Sequence, residues 1–221
     1  SLSNLHRQTL FREADVGAAK AVIAAQTLRD LNSDCVIEAF DIALDPLNAM
    51  TFIQQSTLIL DCADSFATSY ILSDQCKASG VPLISASVLG LAGYVGGFCH
   101  TAPSLRAVFP DLPDRAATCA TAGVMGPVVG MIGAAQAQMA LAYLIDQTPS
   151  PLGQLICFDM QNFRSSGFRF DTAPDPDADL RFIAVSEITG CDFVIELRDA
   201  KEAVTPVTVD ARRLTVAQFA V

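Results

Sequence analysis

In the first third of the chain, apolar positions recur at helical spacing from Asp15 to Leu31, through Val16, Ala19, Val22, Ile23 and Leu28. Cys35 to Phe40 then alternates and is β-branched, which predicts a strand. The rhythm repeats with a short helix from Asp45 to Gln55, a buried strand from Thr57 to Asp61, a helix from Ser65 to Ser79 stopped by Gly80, and a strand from Pro82 to Val88. Strands alternating with helices of about 10 to 15 residues predict an α/β fold, a mostly parallel sheet with helices on both faces. Leu91 to Cys99 reads as an antiparallel strand, because too few residues separate it from its predecessor for a crossover. His100 to Gly123 is a loop long enough to suspect function. Val124 to Ile145 is an apolar helix whose small residues, Gly126, Gly130, Gly133, Ala134, Ala135 and Ala137, permit close approach to another element. Two more strands are expected near Gln154 to Asp159 and Phe163 to Phe170.

At Asp171 the pattern breaks into proline and aspartate with nothing to bury. Residues 1–171 therefore read as the core, 172–180 as a linker, and 181–221 as a tail too small to bury much surface alone. Half of the 221 residues are hydrophobic (51%) and only 17% are charged, which excludes intrinsic disorder. A net charge of −10 argues against nucleic acid or an anionic membrane as a partner, since both demand clustered Lys and Arg. The 7 cysteines are scattered without a C-x-x-C pair, which suits reduced thiols in the cytoplasm and offers no zinc site. No run of apolar residues reaches transmembrane length, and Ser1 to Asn4 does not open a signal peptide.

Three places could carry chemistry. Ser3-Asn4-Leu5-His6-Arg7-Gln8, followed by Lys20 on the first helix, could fork onto phosphates, although the same residues suit a solvated helix start. Asp61-Cys62-Ala63-Asp64-Ser65 ends a predicted central strand, where ligands of open sheets sit; Asp64 could bind Mg²⁺ there or could cap the next helix. Cys119 precedes an apolar helix whose N-terminus favours a thiolate, against the alternative of an inert small hydrophobe. His6 and His100, the only histidines, have no metal-ligand partner at suitable spacing.

Four segments in register resemble the ThiF, MoeB and HesA family, relatives of the ubiquitin-activating enzymes. Ser3-Asn4-Leu5-His6-Arg7-Gln8 with Leu10-Phe11, then Asp15-Val16-Gly17 with Lys20-Ala21, is similar to the family's S-N-L-x-R-Q…L-F…D-x-G-x-x-K-A. Asp61 to Tyr70 resembles D-x-x-D-N-x-x-x-R-Y. Cys119 to Gly130 resembles C-x-x-x-G-V-L-G-P-V-V-G, with Phe109-Pro110 matching F-P. The resemblance implies a Rossmann-like fold and attack by the C-terminal Gly-Gly carboxylate of a ubiquitin-like sulfur carrier on the α-phosphate of ATP, releasing pyrophosphate, in thiamine or molybdopterin synthesis. It implies that Ser3, Asn4, Arg7, Lys20, Asp64 and Ser65 form the nucleotide site, that Asp64 binds Mg²⁺, that Arg7 and Lys20 act on the phosphates, and that Cys119 forms a covalent link to the carrier. It also implies a homodimer.

Departures modify these expectations. The family's opening strand, its G-x-G-G-L-G loop and its ribose-gripping acidic residue are absent from a chain that starts at S-N-L, so the chain is expected to be inactive as a fragment. Ser65 and Ser69 replace the family's Asn and Arg. Ser104-Leu105-Arg106-Ala107 occupies the place of its first zinc C-x-x-C, and Cys191 lacks a partner for the second, so zinc is expected to be absent. Phe193 to Asp199 faintly resembles the opening strand of a rhodanese-like domain. The alternative is a non-catalytic homologue that binds a ubiquitin-like carrier or a partner subunit.

Overall fold

The computed structural model describes residues 1–111, 123–176, 181–198, 201, 208 and 210–219, in two units, Ser1–Leu180 and Arg181–Val221. Most helix boundaries follow from local chemistry. Helix α1 (Lys20–Leu31) begins later than the apolar spacing predicts, because a 3₁₀ turn at Glu13–Asp15 and a left-handed Gly17 (φ 99°) bend the chain first. Helix α2 (Pro46–Ile53) is started by Pro46 and by Asp45, whose carboxylate accepts from the Asn48 amide at 2.8 Å. Helix α3 (Phe66–Ser79) ends where Gly80 turns left-handed at φ 67°. A short α4 (Leu105–Val108) lies inside the expected loop, and α5 (Gly126–Leu144) follows Met125.

The first unit holds one five-stranded sheet in the order β1 (Ile59–Asp61), β2 (Leu83–Leu89), β3 (Ala92–Phe98), β4 (Gln154–Asp159), β5 (Arg164–Arg169). The α/β class stands, with one correction: only β1 and β2 run parallel, and the other three ladders are antiparallel. Connection length accounts for two of those three. Helix α3 supplies the crossover that a parallel pair needs, whereas the short links from β2 to β3 and from β4 to β5 can only close hairpins. A second correction concerns Cys35 to Phe40, which forms no strand. Its alternation finds no ladder partner among the described residues; Val36 is 92% exposed, and Phe40 rests edge-on against Phe52 of α2 with centroids 4.8 Å apart.

Alternation along the strands sends Ile84 and Val95 into a core cluster with Met139 of α5. Ser87 and Tyr94 point instead to a chamber shared with Phe66, Ser69 and Tyr70 of α3. Helices therefore cover both faces. By length and composition α5 could span a bilayer; its Val128, Ile132, Met139, Ala140 and Ala142 are buried within the unit, while Leu141 and Leu144 are exposed. Beyond β5, Asp175 accepts from the Ser104 amide at 2.7 Å and pairs with Lys77 at 2.7 Å. In the second unit, β6 (Ile195–Glu196) runs parallel to β7 (Arg212–Arg213), and a short α6 (Val216–Phe219) follows.

Candidate active site

The N-terminal segment folds into tight turns, with the Arg7 and Gln8 amides both donating to the Asn4 carbonyl at 3.1 and 3.0 Å. This brings the Arg7 guanidinium back over its own turn. It donates to the Ser3 carbonyl at 3.2 Å and to Asn4 Oδ1 at 2.5 Å, and lies 2.9 Å from His6 Nε2. Because Asn4 spends its oxygen on Arg7, its amide nitrogen remains the group with hydrogens to offer. The turn is seated on the start of α5: a Cβ on Gly126 would stand 2.3 Å from the His6 carbonyl oxygen, so only glycine admits this approach.

Lys20 is the first residue of α1, and Asp64 lies in the loop that leaves β1 for α3. Asn4, Arg7, Gln8, Lys20 and Asp64 together line one cavity of about 400 Å³. Residues separated by up to sixty positions thus meet at the carboxyl end of β1, where open sheets bind ligands. Ser3 is not among the lining residues and contributes only its carbonyl to Arg7. Ser65 lines a neighbouring chamber of about 700 Å³, with Ser69, Tyr94, Phe109 and Asp111. The two spaces share Ala63, Asp64, Phe66 and Ser87 and meet at the Asp64 loop. Cys119 lies outside the described residues.

The chamber wall is held firmly. Tyr70 donates its hydroxyl to the Phe109 carbonyl at 2.6 Å, and Arg106 stacks 4.8 Å above the Tyr70 ring while gripping Asp74 through two hydrogen bonds of 2.7 and 2.8 Å. Burial pushes the Tyr94 phenol up to about 12, against the pull of a hydrogen bond with Ser85. Burial and the neighbouring Asp61 raise the Cys62 thiol, which therefore stays protonated near neutrality. Beneath the Asp64 loop, buried Asp61 accepts from Ser85 Oγ at 2.8 Å and from the Ala63 amide at 3.0 Å.

Sequence reasoning missed two residues here. Gln136 is the one polar side chain in the buried stripe Val128, Ile132, Gln136, Met139, Ala140 of α5, and that break in an apolar stripe was the available signal. Gly126 stands in the sequence as a small residue and as a motif glycine, but its contact with His6 crosses the fold and cannot be read from its neighbours.

The donor set suits Mg²⁺ held jointly with phosphate. Asp64 is the single carboxylate lining the smaller cavity, and Mg²⁺ is commonly held by one or two carboxylates together with phosphate oxygens. Zinc does not fit at Ser104–Ala107, which offer no thiolate or imidazole. No group of three or more metal-ligating side chains occurs among the described residues.

A helix-covered sheet with Arg7, Lys20 and Asp64 gathered in one cavity at its strand ends defines an α/β protein of Rossmann type. Residues 1–180 match the ThiF family, and the chain belongs to it. It is 39% identical over 180 residues to the adenylyltransferase and sulfurtransferase MOCS3 of Xenopus laevis, covering 78% of this chain and 40% of that protein. It is 32% identical over 175 residues to the SAMP-activating enzyme E1 of Haloferax volcanii, covering 78% of this chain and 65% of that one. The chain thus spans less than two thirds of the length of either relative. Among solved structures, E. coli MccB bound to MccA-N7isoASN superposes with a TM-score of 0.66 at 15% identity, covering 77% of this chain and 54% of MccB. PaaA superposes at 0.62 with 20% identity, covering 77% and 61%. These likenesses establish the fold.

Proposed function

We propose that this protein adenylylates the C-terminal Gly-Gly carboxylate of a ubiquitin-like sulfur carrier, of the kind used in thiamine or molybdopterin synthesis. A carboxylate oxygen of the carrier attacks the α-phosphorus of ATP. The acyl C–O–P linkage forms as the α–β bridging P–O bond breaks, and pyrophosphate leaves with the electron pair. The observation that carries this reading is the convergence of Arg7, Lys20 and Asp64 on one cavity that meets a second chamber at Asp64.

In this reading the cationic cavity takes the triphosphate. Arg7, oriented by Ser3, Asn4 and His6, and the Asn4 amide hold its oxygens, while Lys20 offsets the charge that builds on the leaving group. Mg²⁺ bound at Asp64 would supply further charge neutralisation on the phosphates. The larger chamber takes the carrier tail. Its described lining residues include hydroxyls, aromatic rings, Asp64 and Asp111 but no Lys, Arg or His, so a terminal carboxylate is drawn past it toward Arg7 and Lys20. Cys119 is assigned the later covalent link: its thiolate attacks the acyl carbon of the adenylate, and a thioester forms as the acyl C–O bond breaks and AMP leaves. The exposed Leu141, Leu144 and Ile145 at the end of α5 suit a homodimer.

Intact-mass detection of carrier bearing an added adenylyl group, made by the full-length protein with MgATP and lost when the carrier's last glycine is deleted, tests the assignment. Ser65 and Ser69, which replace an amide and a guanidinium in this chamber, favour a second reading: carrier binding without adenylylation. Tight carrier binding with no adenylate formed would establish it.

A further inference from the structure

Among the described residues no side-chain hydrogen bond from Asp64 orients its loop; the restraint comes from below. Gln136, only 5% exposed on α5, donates from Nε2 to two carbonyls on adjacent strands, Asp61 at 2.7 Å on β1 and Ile84 at 3.0 Å on β2. Its Oε1 accepts from the Cys62 thiol at 3.4 Å. Both amide hydrogens and the oxygen are therefore used. Asp61 ends the parallel ladder of β1 and β2 opposite Ser85, and Ile84 pairs with the preceding Leu60, so the side chain bridges the last two steps of that ladder. From the same residue, the Asp61 carboxylate reaches forward to the Ala63 amide and is itself held by Ser85.

We propose that Gln136 is a positioning residue for the Asp64 loop. It pins the Asp61 peptide to β2, the Asp61 carboxylate pins the Ala63 peptide, and Asp64 is thereby presented at the junction of the two cavities. The role rests on the reading of Asp64 as the Mg²⁺-binding carboxylate. A helix glutamine used only to fill space would not spend both hydrogens on the last residue of β1 and on the neighbouring strand β2. Nor would it meet the residue immediately before the functional loop.

The test is Gln136→Met, which keeps length and approximate volume but donates nothing, beside Ser85→Ala, which loosens the same bracket through Asp61 without touching α5. Amide hydrogen exchange is read over residues 61–66 in the full-length protein, and the Mg²⁺ concentration for half-maximal pyrophosphate exchange is compared with KM for the carrier. For Gln136→Met we expect at least tenfold faster exchange in 61–66, with α3 and β3 unchanged. The half-saturating Mg²⁺ concentration should rise about tenfold, while KM for the carrier stays within twofold. Ser85→Ala should shift both readouts in the same direction by a smaller factor. Unchanged exchange over 61–66 in a folded Gln136→Met variant, or in Ser85→Ala if the first variant does not fold, overturns the positioning role. Faster loop exchange with unaltered Mg²⁺ dependence overturns its link to Asp64. If the wild-type protein shows no carrier-dependent exchange at all, the proposed function fails, and the hydrogen-exchange comparison still decides whether Gln136 holds the loop.

Discussion

Replacing Gly126 by alanine perturbs the site through a single methyl group. The new Cβ would stand 2.3 Å from the His6 carbonyl oxygen and 3.3 Å from its carbon, against 3.4 Å for the near edge of ordinary contact. Relief demands that the turn carrying Asn4 and Arg7 retreat by about 1 Å, and misplacement of that size costs about a hundredfold in rate. That loss corresponds to about 2.7 kcal/mol of barrier. Overpacking adds about 1 to 3 kcal/mol of destabilisation. Gly130, one turn further along α5, has nothing within 4 Å of its Cβ position. There alanine should stabilise by about 0.5 to 1 kcal/mol, since it removes backbone freedom from a helix interior. The assay is kcat/KM for adenylate formation beside thermal melting of both variants. Gly126→Ala with activity within threefold of wild type and an unchanged Tm would refute the argument that His6 is seated on a bare α-carbon.

Further outcomes follow from the same geometry. Lys20→Ala or Asp64→Ala should each lower adenylate formation about a hundredfold, about 2.7 kcal/mol, and activity within threefold for both would remove these assignments. Asp175 is raised by burial but lowered further by its bonds from Lys77 and Ser104, so its net pKa lies below the ordinary 3.8. Its contribution, about 1 kcal/mol, is therefore present above the unfolded carboxyl's pKa and lost as pH falls through the lower folded value. Asp175→Asn should lower Tm at pH 7, with the difference from wild type vanishing at strongly acid pH; a difference independent of pH would contradict this. In native protein a thiol reagent should label exposed Cys35 and Cys191 first. Cys62 should lag because its thiol is raised, and Cys76 and Cys99, buried and raised, should react only on unfolding. Rapid native labelling of Cys99 would contradict the burial of that corner.

Much of this was legible in residue order because the relevant physics is local. Asp45 with Pro46 starts α2, Gly80 stops α3, and the Gly90-Leu91 link can only make a hairpin, so these boundaries follow from short stretches of chain. Arg7, Lys20 and Asp64 were identifiable through motif spacing, and the fold brings them to one cavity. What was not legible depends on partners distant in sequence. Cys35 to Phe40 has strand-like alternation, but a strand needs a neighbour to bond with, and alternation alone does not supply one. The sheet's mostly antiparallel pairing reflects link lengths after β2 and β4 more than the helix-strand rhythm of the first half. Ser65 and Asp64 are adjacent in sequence, yet Ser65 lines only the larger chamber while Asp64 lines both. Gln136 showed only as one polar letter in an apolar helix, because the carbonyls it serves are contributed by residues more than fifty positions earlier.

The most direct test of the central claim is carrier-dependent exchange of labelled pyrophosphate into ATP by the full-length protein, with a panel of Gly-Gly-ended carriers. The account predicts exchange that demands both Mg²⁺ and an intact terminal glycine and that falls about a hundredfold in Lys20→Ala. No exchange with any carrier, from protein that binds those carriers tightly, would contradict it and identify a binding module in place of an activating enzyme.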